Sequence, residues 1–468
     1  MKILIVGAGR VGYAIAASLV SEENDITVID QNTRHIQYLQ SHYDLRGIRG
    51  DALDPELLQS AGAEDTDMLI AVTSSDETNL SICLLAAQIF NIPTRIARVR
   101  KHQLRAYPRI LGEEGFQATS IIWPEEAITD YLCKLITYPQ ASQVQEFGDG
   151  RAYLLAVRAK TGSPIIGRAI SDLDTHLPHI GSRIVAIFRR NRAIECKPST
   201  IIESNDEIFC LCAAQNTSTV LNEFRHNEPT IKNLILAGSA KLAVALTNQL
   251  LENNPTGVSY NIRIIEENPQ KAEELARISS GDTIVVQGHY TDEDTLVGAD
   301  IETCDLFLAL SDSDEHNILS SLLAKRLGAK RAIAMVDRES YGNLMQGSQI
   351  DITLSTAQAA LGELIKHVRH CDVVAAYSLR RGLSEALEII AHGDRRSSKI
   401  VGRMIKNISL PEGCTIAAVI RGDDDNSVVL MGRPDLEIEA EDHVIVFVSN
   451  KRLIPKIERL FAVNVGFF

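Results

Sequence analysis

An internal repeat restricts the possible folds of this 468-residue chain more than any other feature. Residues 50–79 align with residues 288–317 when a compensated two-residue shift is allowed. The matching positions are Asp54, Leu58, Gly62, Ala63, Asp67, Ala71, Ser75, Asp76, Glu77 and Asn79 in the first copy and Asp292, Leu296, Gly298, Ala299, Asp305, Ala309, Ser313, Asp314, Glu315 and Asn317 in the second. Chance does not readily produce this agreement, so we expect one fold to occur twice.

The first copy alternates apolar runs with helical patterns, which is typical of a parallel sheet with crossover helices. Strands are predicted at 2–6, 25–30, 46–49, 67–72 and 94–99. A first helix is predicted from the turn at 7–12 to Val20, a second begins at Asp54-Pro55, and a third spans 76–90. A Rossmann-like fold is therefore expected. The second copy begins near Lys232, where residues 236–238 correspond to residues 5–7.

A weaker repeat follows each of these units, in segments with short β-like runs bounded by Gly, Pro and Asp. Residues 166–168 and 185–189 correspond to residues 401–403 and 418–421. The predicted architecture is α/β, a tandem duplication of a Rossmann-like parallel-sheet domain and a small β-rich α+β domain. The predicted domains span 1–123, 143–227, 232–348 and 368–453, with connecting helices at 124–136 and 356–370 and a central linker at 222–233.

Composition excludes several classes of function. With 61 acidic and 47 basic residues the net charge is −14, which argues against nucleic acid or an anionic bilayer as primary ligand. No apolar run approaches the roughly 18 residues of a spanning helix, and the N-terminus is too short for a secretory signal, so a cytoplasmic location is predicted. The eight cysteines include no CxxC, and Cys210 and Cys212 are interpreted as core residues. Asp423–Asp425 lacks the spacing of a calcium loop and is interpreted as a solvated turn.

A glycine-rich turn in the first unit predicts a nucleotide site. Gly7, Gly9 and Gly12 lie between a predicted strand and a predicted helix, and Asp30 ends the next strand, 23 residues after Gly7. Gly7 would allow a tight turn, Gly9 would let a pyrophosphate approach the backbone, and Gly12 would allow close packing. A carboxylate at Asp30 would accept hydrogen bonds from ribose hydroxyls and disfavour a 2′-phosphate, which favours NAD over NADP.

Other polar residues follow the predicted strands of the first unit. Arg10 could reach a terminal phosphate or a neighbouring subunit's site, or could be a solvated helix residue. Thr73 and Ser74 could donate hydrogen bonds to a ligand, or could only cap the next helix. Asp51 could meet an adenine amino group and Arg98 a phosphate, although surface charge is the alternative for both.

The second unit departs from this pattern. It retains Gly238 and the strand-end acid Glu266. The residues Ala240, Lys241, Ala243 and Met335 stand where the first unit has Gly9, Arg10, Gly12 and Arg98. We therefore expect its site to be altered, weaker or empty.

The sequence contains no HExxH, GxSxG or Walker A motif and no evident histidine triad, so a non-enzymatic nucleotide sensor is the preferred interpretation. The alternative is an NAD-dependent dehydrogenase, because a Rossmann unit followed by another domain is the usual plan of such enzymes. A scaffold with vestigial sites is a third possibility.

Taken together, the glycine turn, Asp30, residues 50–52, residues 72–74 and Arg98, all within a duplicated arrangement, resemble the RCK (KTN) regulatory domains over nearly the whole chain. The resemblance implies that Gly7, Ala8, Gly9, Arg10 and Val11 form the phosphate turn ahead of Gly12, and that Asp30, Thr73, Ser74 and Arg98 complete the site. It implies NAD(H) and ATP or ADP as ligands, and no enzymatic activity. It also implies four copies forming a ring of eight RCK units, bound to a TrkH-like membrane subunit of a potassium channel at the inner face of the membrane.

Overall fold

The computed structural model describes residues 1–20, 24–177, 180–190, 192–225, 228–252, 257–278, 283–345, 349–368, 372–379, 384–422 and 427–463. These form two compact units. The first contains Met1–Asp130, Asn233–Asn254 and Tyr260–Leu364, and the second contains Tyr131–Lys232, Pro255–Ser259 and Ile365–Phe468. Each unit therefore combines segments from both halves of the chain. In the first unit, residues 1–130 are the first lobe, and residues 233–254 and 260–364 are the second lobe. In the second unit, residues 131–232 and 365–468 are the first and second small domains.

The first lobe is a six-stranded parallel sheet in the order β3-β2-β1-β4-β5-β6. Its strands are β1 (Lys2–Val6), β2 (Asp25–Asp30), β3 (Arg46–Arg49), β4 (Met68–Ala71), β5 (Thr94–Arg98) and β6 (Ser120–Ile122). Its helices are α1 (Arg10–Val20), α2 (Thr33–His42), α3 (Pro55–Ser60), α4 (Asp76–Gln88), α5 (Pro108–Leu111) and α6 (Pro124–Thr137). The strand order reverses between β1 and β4, and ligands of open parallel sheets bind at such a point.

The first small domain is a five-stranded antiparallel sheet in the order β10-β9-β11-β8-β7. Its strands are β7 (Ala141–Phe147), β8 (Ala152–Arg158), β9 (Ser182–Arg189), β10 (Arg192–Ile194) and β11 (Glu207–Ala213). Its helices are α7 (Asp172–His176) and α8 (Thr217–Phe224).

The second lobe repeats the topology of the first in the order β14-β13-β12-β15-β16-β17. Its strands are β12 (Asn233–Gly238), β13 (Asn261–Glu266), β14 (Ile284–Gln287), β15 (Leu306–Leu310), β16 (Arg331–Met335) and β17 (Ile352–Leu354). Its helices are α9 (Ala240–Glu252), α10 (Pro269–Ile278), α11 (Glu293–Gly298), α12 (Asp314–Arg326), α13 (Glu339–Leu344) and α14 (Thr356–Val368).

The second small domain again has five antiparallel strands, in the order β18-β19-β22-β20-β21. They are β18 (Val373–Leu379), β19 (Ser384–Ala391), β20 (Cys414–Arg421), β21 (Val428–Met431) and β22 (Asp442–Val448), followed by α15 (Ile454–Phe461). Within the second unit the two sheets contribute to one apolar core, in which Phe147 meets Tyr377 edge to face. Aromatic pairs favour this geometry, which aligns the positive ring edge with the negative ring face.

Local sequence explains where the lobe helices begin. Asn32, Asp54 and Ser75 have extended backbones, and each side chain accepts a hydrogen bond from an amide of the following turn. Such caps satisfy donors that have no partner inside the helix. The central strands β4 and β15 are apolar and buried at every position, as expected where helices cover both faces of a parallel sheet.

The predicted fold class is confirmed, but two details are wrong. The repeat needs no shift between residues 54 and 79, because Gly62 and Asp300 both have left-handed backbones and both precede a 3-10 turn. The sequence alignment matches Gly62 to Gly298 because both residues are glycines. The residue with the same backbone conformation as Gly62 is Asp300, which an alignment of residue types does not reveal. The predicted linker at 222–233 overlaps α8, which extends to Phe224. The Asp423–Asp425 turn lies outside the described residues.

Candidate nucleotide-binding site

The glycine turn of the first lobe is a close-packed loop with one open side. Gly7 has a φ of +103°, and a Cβ there would lie 3.0 Å from the Thr73 amide nitrogen. A Cβ on Gly12 would lie 1.8 Å from the Gly7 carbonyl oxygen, which no side chain tolerates. A Cβ on Gly9, in contrast, would have no atom of the described residues within 4 Å. The turn is therefore held together at Gly7 and Gly12 and remains accessible at Gly9.

Helix α1 starts at Arg10, directly after this open side. The first turn of a helix presents backbone amides without helical partners and the positive end of the helix dipole, so it attracts anions. The side chains of Ala8 and Val11 are buried, and these residues can contribute to a ligand site through their backbones only. The arrangement suits a phosphate group next to Gly9.

Asp30 at the end of β2 is bonded to the turn itself. Its carboxylate accepts the Ala8 amide at 2.6 Å through one oxygen and the Asn32 amide at 2.6 Å through the other. The His35 ring lies 3.6 Å away. A carboxylate has about four lone-pair positions, so these two amides leave capacity for ribose hydroxyls. Asp30 therefore also fixes the position of the glycine turn, a role that the sequence motif does not predict.

Asn79 connects the ends of β4 and β5 beside the turn. In the sequence it was only one of the matching positions of the repeat. The Oδ1 atom of Asn79 accepts the Thr73 amide at 2.8 Å and the Thr73 hydroxyl at 2.7 Å. Its Nδ2 atom donates to the carbonyls of Thr73 and Arg98, so the ends of β4 and β5 are joined through one fully buried side chain. The Thr73 hydroxyl is thus engaged in this network.

The other predicted strand-end residues are mainly engaged with their own loops. The Asp51 carboxylate accepts the Leu53 amide at 3.0 Å and stabilises the turn into α3. Ser74 is exposed, and its carbonyl accepts the Arg100 guanidinium. The adjacent Ser75 caps α4, so helix capping accounts for the conformation of this loop.

Arg98, at the end of β5, retains an unused donor. Its Nη2 atom donates to Glu125 of α6 at 3.2 Å, while its Nε atom is buried and has no hydrogen-bond partner among the described residues. A buried charged donor without a partner is costly, and an anionic ligand would remove this cost.

Arg10 extends from the glycine turn to the second lobe of the same chain. One guanidinium nitrogen donates to the Asp312 carbonyl at 3.0 Å, and another lies 3.3 Å from the Asp337 carboxylate. The side chain is 49% exposed. The sequence predicted a phosphate or a neighbouring subunit as its partner, whereas here the partner is the other copy of the repeat.

Comparison with known proteins decides the family. The TrkA-N domain family matches residues 3–122 and 234–356, and the TrkA-C domain family matches residues 154–225 and 395–462. The Trk system potassium uptake protein TrkA of Vibrio alginolyticus is 42% identical over 98% of both chains, and that of Halomonas elongata is 41% identical over the full length of both. The chain belongs to the TrkA family.

Solved structures agree with the tandem TrkA-N and TrkA-C arrangement. The crystal structure of the GsuK RCK domain has a TM-score of 0.60 at 16% identity, covering 98% of this chain and 94% of that one. A GsuK channel bound to NAD has a TM-score of 0.59 at 17% identity, covering 98% of this chain and 78% of the other. At such identities the likeness supports the fold alone.

The second TrkA-N segment retains part of the same framework, with Ala240 in place of the open glycine. A Cβ on Gly238 would lie 2.6 Å from the Ser311 amide nitrogen, and Glu266 is buried and accepts the Asn268 amide. Tyr290, which follows β14, is buried and belongs to the same apolar cluster as Ile265 of β13, Ala237 of β12 and Ala309 of β15. Burial raises the pKa of this phenol. Tyr290 stands where the first lobe has Ala52, so the second lobe has the bulkier side chain after the strand that neighbours β13.

Three residues of this region were not predicted as functional. Asn79 had a signal in the sequence, because the repeat has Asn317 at the equivalent position. Asn317 makes the same contacts in the second lobe, with Ser311 and the Met335 carbonyl. Tyr290 replaces Ala52 of the first lobe, a difference that the repeat alignment contained. Asp337 had no signal, because its contact with Arg10 spans 327 residues.

No group of three or more His, Cys, Asp or Glu side chains within the described ranges is arranged to hold a metal ion. Of the helices in the described part of the chain, none has both the length and the apolar character needed to span a membrane. Cys210 and Cys212 are buried, and burial raises the pKa of the Cys212 thiol to about 12.

Proposed function

We propose that this chain is a regulatory subunit that binds NAD(H) and/or ATP or ADP in its first lobe and thereby gates a membrane potassium-uptake channel. The observation that carries the proposal is the glycine turn, which is tightly packed at Gly7 and Gly12 but open at Gly9, next to the N-terminus of α1. A pyrophosphate can approach the backbone there and interact with the helix dipole.

The surrounding residues fit an unphosphorylated ribose. Asp30 retains acceptor capacity beyond its two backbone bonds, and its negative charge would repel a 2′-phosphate. Arg98 offers an unused guanidinium donor, and Arg10 offers a half-exposed positive charge at the helix start. These features favour NAD(H), ATP and ADP over NADP.

Nucleotide binding is proposed for the first lobe only. In the second lobe, Gly238 and Glu266 retain the framework of a site, but the buried Tyr290 replaces Ala52 and Ala240 replaces the open glycine. The second lobe then completes the assembly and does not sense the ligand.

The potassium-channel partner is inferred from the family. Full-length relatives at 40–42% identity are named Trk system potassium uptake proteins. We propose that four copies form a ring of eight RCK units at the cytoplasmic face of the membrane, bound to a TrkH-like subunit. Gating then requires that nucleotides bind two ring conformations with different affinities, because a ligand shifts an equilibrium only through differential binding.

We propose that the chain is not an enzyme. A dehydrogenase needs a proton-transfer residue facing the nicotinamide, and the segment that follows the first lobe is instead a small antiparallel sheet with a core shared with its duplicate. Turnover of a hydroxy acid with NAD by the purified chain would favour the dehydrogenase alternative.

The experiment combines nucleotide binding with potassium flux in vesicles that contain the membrane subunit. Gly9→Val is expected to fill the open side, abolish nucleotide binding and remove the nucleotide response of the flux. Ala240→Val makes a comparable change in the second lobe and is expected to leave both unchanged. A flux that keeps its nucleotide response when Gly9→Val no longer binds nucleotide would contradict the proposal.

A further inference from the structure

The loop after β4 and the equivalent loop after β15 each bind an arginine guanidinium. The first loop binds an arginine of its own lobe, whereas the second binds an arginine of the other lobe. In the first lobe, Arg100 donates to the Ser74 carbonyl and lies 3.6 Å from the Asp76 carboxylate. In the second lobe, the carbonyl of Asp312 and the carboxylate of Asp314 occupy the equivalent positions after β15. The cation there is Arg10 of the first lobe, at 3.0 Å and 3.9 Å from these groups.

The exchange of arginines follows from one difference between the repeats. The backbone amides of Arg100 and Lys101 bind Asp76, and those of Asp337 and Arg338 bind Asp314 in the same way. Asp337 therefore stands where the first lobe has Arg100. The second lobe lacks its own guanidinium at this position and has a carboxylate instead, which lies 3.3 Å from Arg10.

Asp337 is held firmly in this role. Its side chain is 6% exposed, and its oxygens accept the Thr356 amide at 2.8 Å and the hydroxyls of Ser355 and Thr356. Arg10 is the more exposed partner, because half of its long side chain faces solvent. A fixed carboxylate thus meets an arginine that starts at the opening of the nucleotide turn.

We infer that the Asp337 carboxylate takes the place of a nucleotide phosphate as the partner of Arg10. It holds the Arg10 guanidinium on the second lobe until the terminal phosphate of a nucleotide bound in the first lobe binds this guanidinium instead. The inference rests on the proposed nucleotide binding of the first lobe. Carboxylate and phosphate are alternative partners for the same guanidinium, and one arginine cannot satisfy both fully. Binding of the nucleotide and loosening of this contact between the lobes are then one event.

The test measures ATP affinity of the purified full-length chain by calorimetry. Asp337→Asn keeps an oxygen for Thr356 but removes the charge that holds Arg10, so ATP should bind about three- to tenfold more tightly. Asp292→Asn makes the same charge change at another helix start of the second lobe, where Asp292 meets Thr295, and should leave the affinity unchanged. Asp337→Arg introduces into the second lobe the arginine that the first lobe has at this position, Arg100, and should likewise release Arg10.

A double substitution isolates the pair. In an Arg10→Gln background, where ATP binding is weaker, Asp337→Asn should have no further effect. Unchanged ATP affinity in Asp337→Asn, or an equal gain in the Arg10→Gln background, would overturn the inference while leaving nucleotide binding by the wild type intact. Failure of both the wild type and Asp337→Asn to bind any nucleotide would overturn the proposed function together with the inference.

Discussion

Individual residues in the glycine turn have separable roles. Gly12 is required for packing, because its hydrogen atoms occupy space beside the Gly7 carbonyl that a methyl group cannot enter. Gly9 has no such neighbour in the described residues, and it is not among the residues with positive φ. The sequence motif treats these glycines alike, although the structure requires one for folding and leaves the other open to a ligand.

Alanine substitutions should separate the two roles. Gly12→Ala forces the turn apart and should lower the free energy of unfolding by about 1–3 kcal/mol or more. Gly9→Ala should leave the thermal unfolding temperature nearly unchanged while weakening nucleotide binding. Differential scanning calorimetry with and without nucleotide measures both effects. A strongly destabilised Gly9→Ala would show that this side of the turn is packed.

A histidine in the second small domain links two acidic residues. The His392 ring nitrogens lie 2.9 Å from Asp372 and 2.9 Å from Glu441, just before β18 and β22. Hydrogen bonds to Asp372 and then Glu441 raise the pKa of His392 above its ordinary value. The protonated ring therefore ties together three loop ends.

Stability should depend on pH through this residue. Because the folded state raises the pKa, the stabilisation is complete below the ordinary value of about 6.5 and is lost as the pH rises through the folded value. We expect His392→Gln to lower the unfolding temperature at pH 6 and to have little effect at pH 9. The difference should be within about 1 kcal/mol, because the groups are partly exposed. A pH-independent effect would indicate that packing alone is responsible.

At the scale of elements, the two asparagine clamps show how each sheet edge is made rigid. Asn79 joins β4 to β5 and Asn317 joins β15 to β16, each with four hydrogen bonds to the same backbone and hydroxyl groups. Both side chains are fully buried. Removal of either would leave buried donors and acceptors unpaired.

The paired substitutions Asn79→Ala and Asn317→Ala should therefore destabilise their lobes similarly, by about 2–4 kcal/mol. Only Asn79→Ala should also weaken nucleotide binding, since the loop after β4 borders the proposed site. Thermal unfolding and calorimetric titration measure these two effects. Loss of nucleotide binding in Asn317→Ala at unchanged stability of the first lobe would argue for a ligand in the second.

Most elements could be predicted from the sequence, with errors at their ends. The predicted helix 76–90 ends at Gln88, and the predicted strand 67–72 covers Met68–Ala71. Apolar periodicity locates an element, whereas its last residue depends on backbone hydrogen bonds with distant strands. The match of Gly62 with Gly298 failed for the same reason, because backbone conformation is not visible in the alignment.

At the scale of the whole molecule, the duplicated halves are unequal. The first lobe has an open glycine turn, and the second has the buried Tyr290 where the first has Ala52. The asymmetry extends to their contact, since Arg10 reaches the second lobe while Arg100 remains within the first.

One nucleotide per chain is the expected stoichiometry. Calorimetric titration of the purified protein with NADH or ATP should give a value near one, and Tyr290→Ala should leave it unchanged or open a weaker second site. Two equivalent sites in the wild type would contradict the assignment of sensing to the first lobe. Gly9→Val provides the control, because it should remove the high-affinity site in either background.

The sequence by itself determined the duplication, the parallel-sheet lobes, the small β-rich domains and the glycine turn, because periodicity and local motifs act over a few residues. It also predicted that the second site is altered. Only the tertiary structure decided that Asp30 fixes the turn, that Tyr290 is buried in the core of the second lobe and that Arg10 pairs with Asp337. These contacts join residues far apart in the chain, and they depend on how strand ends and lobes come together in space.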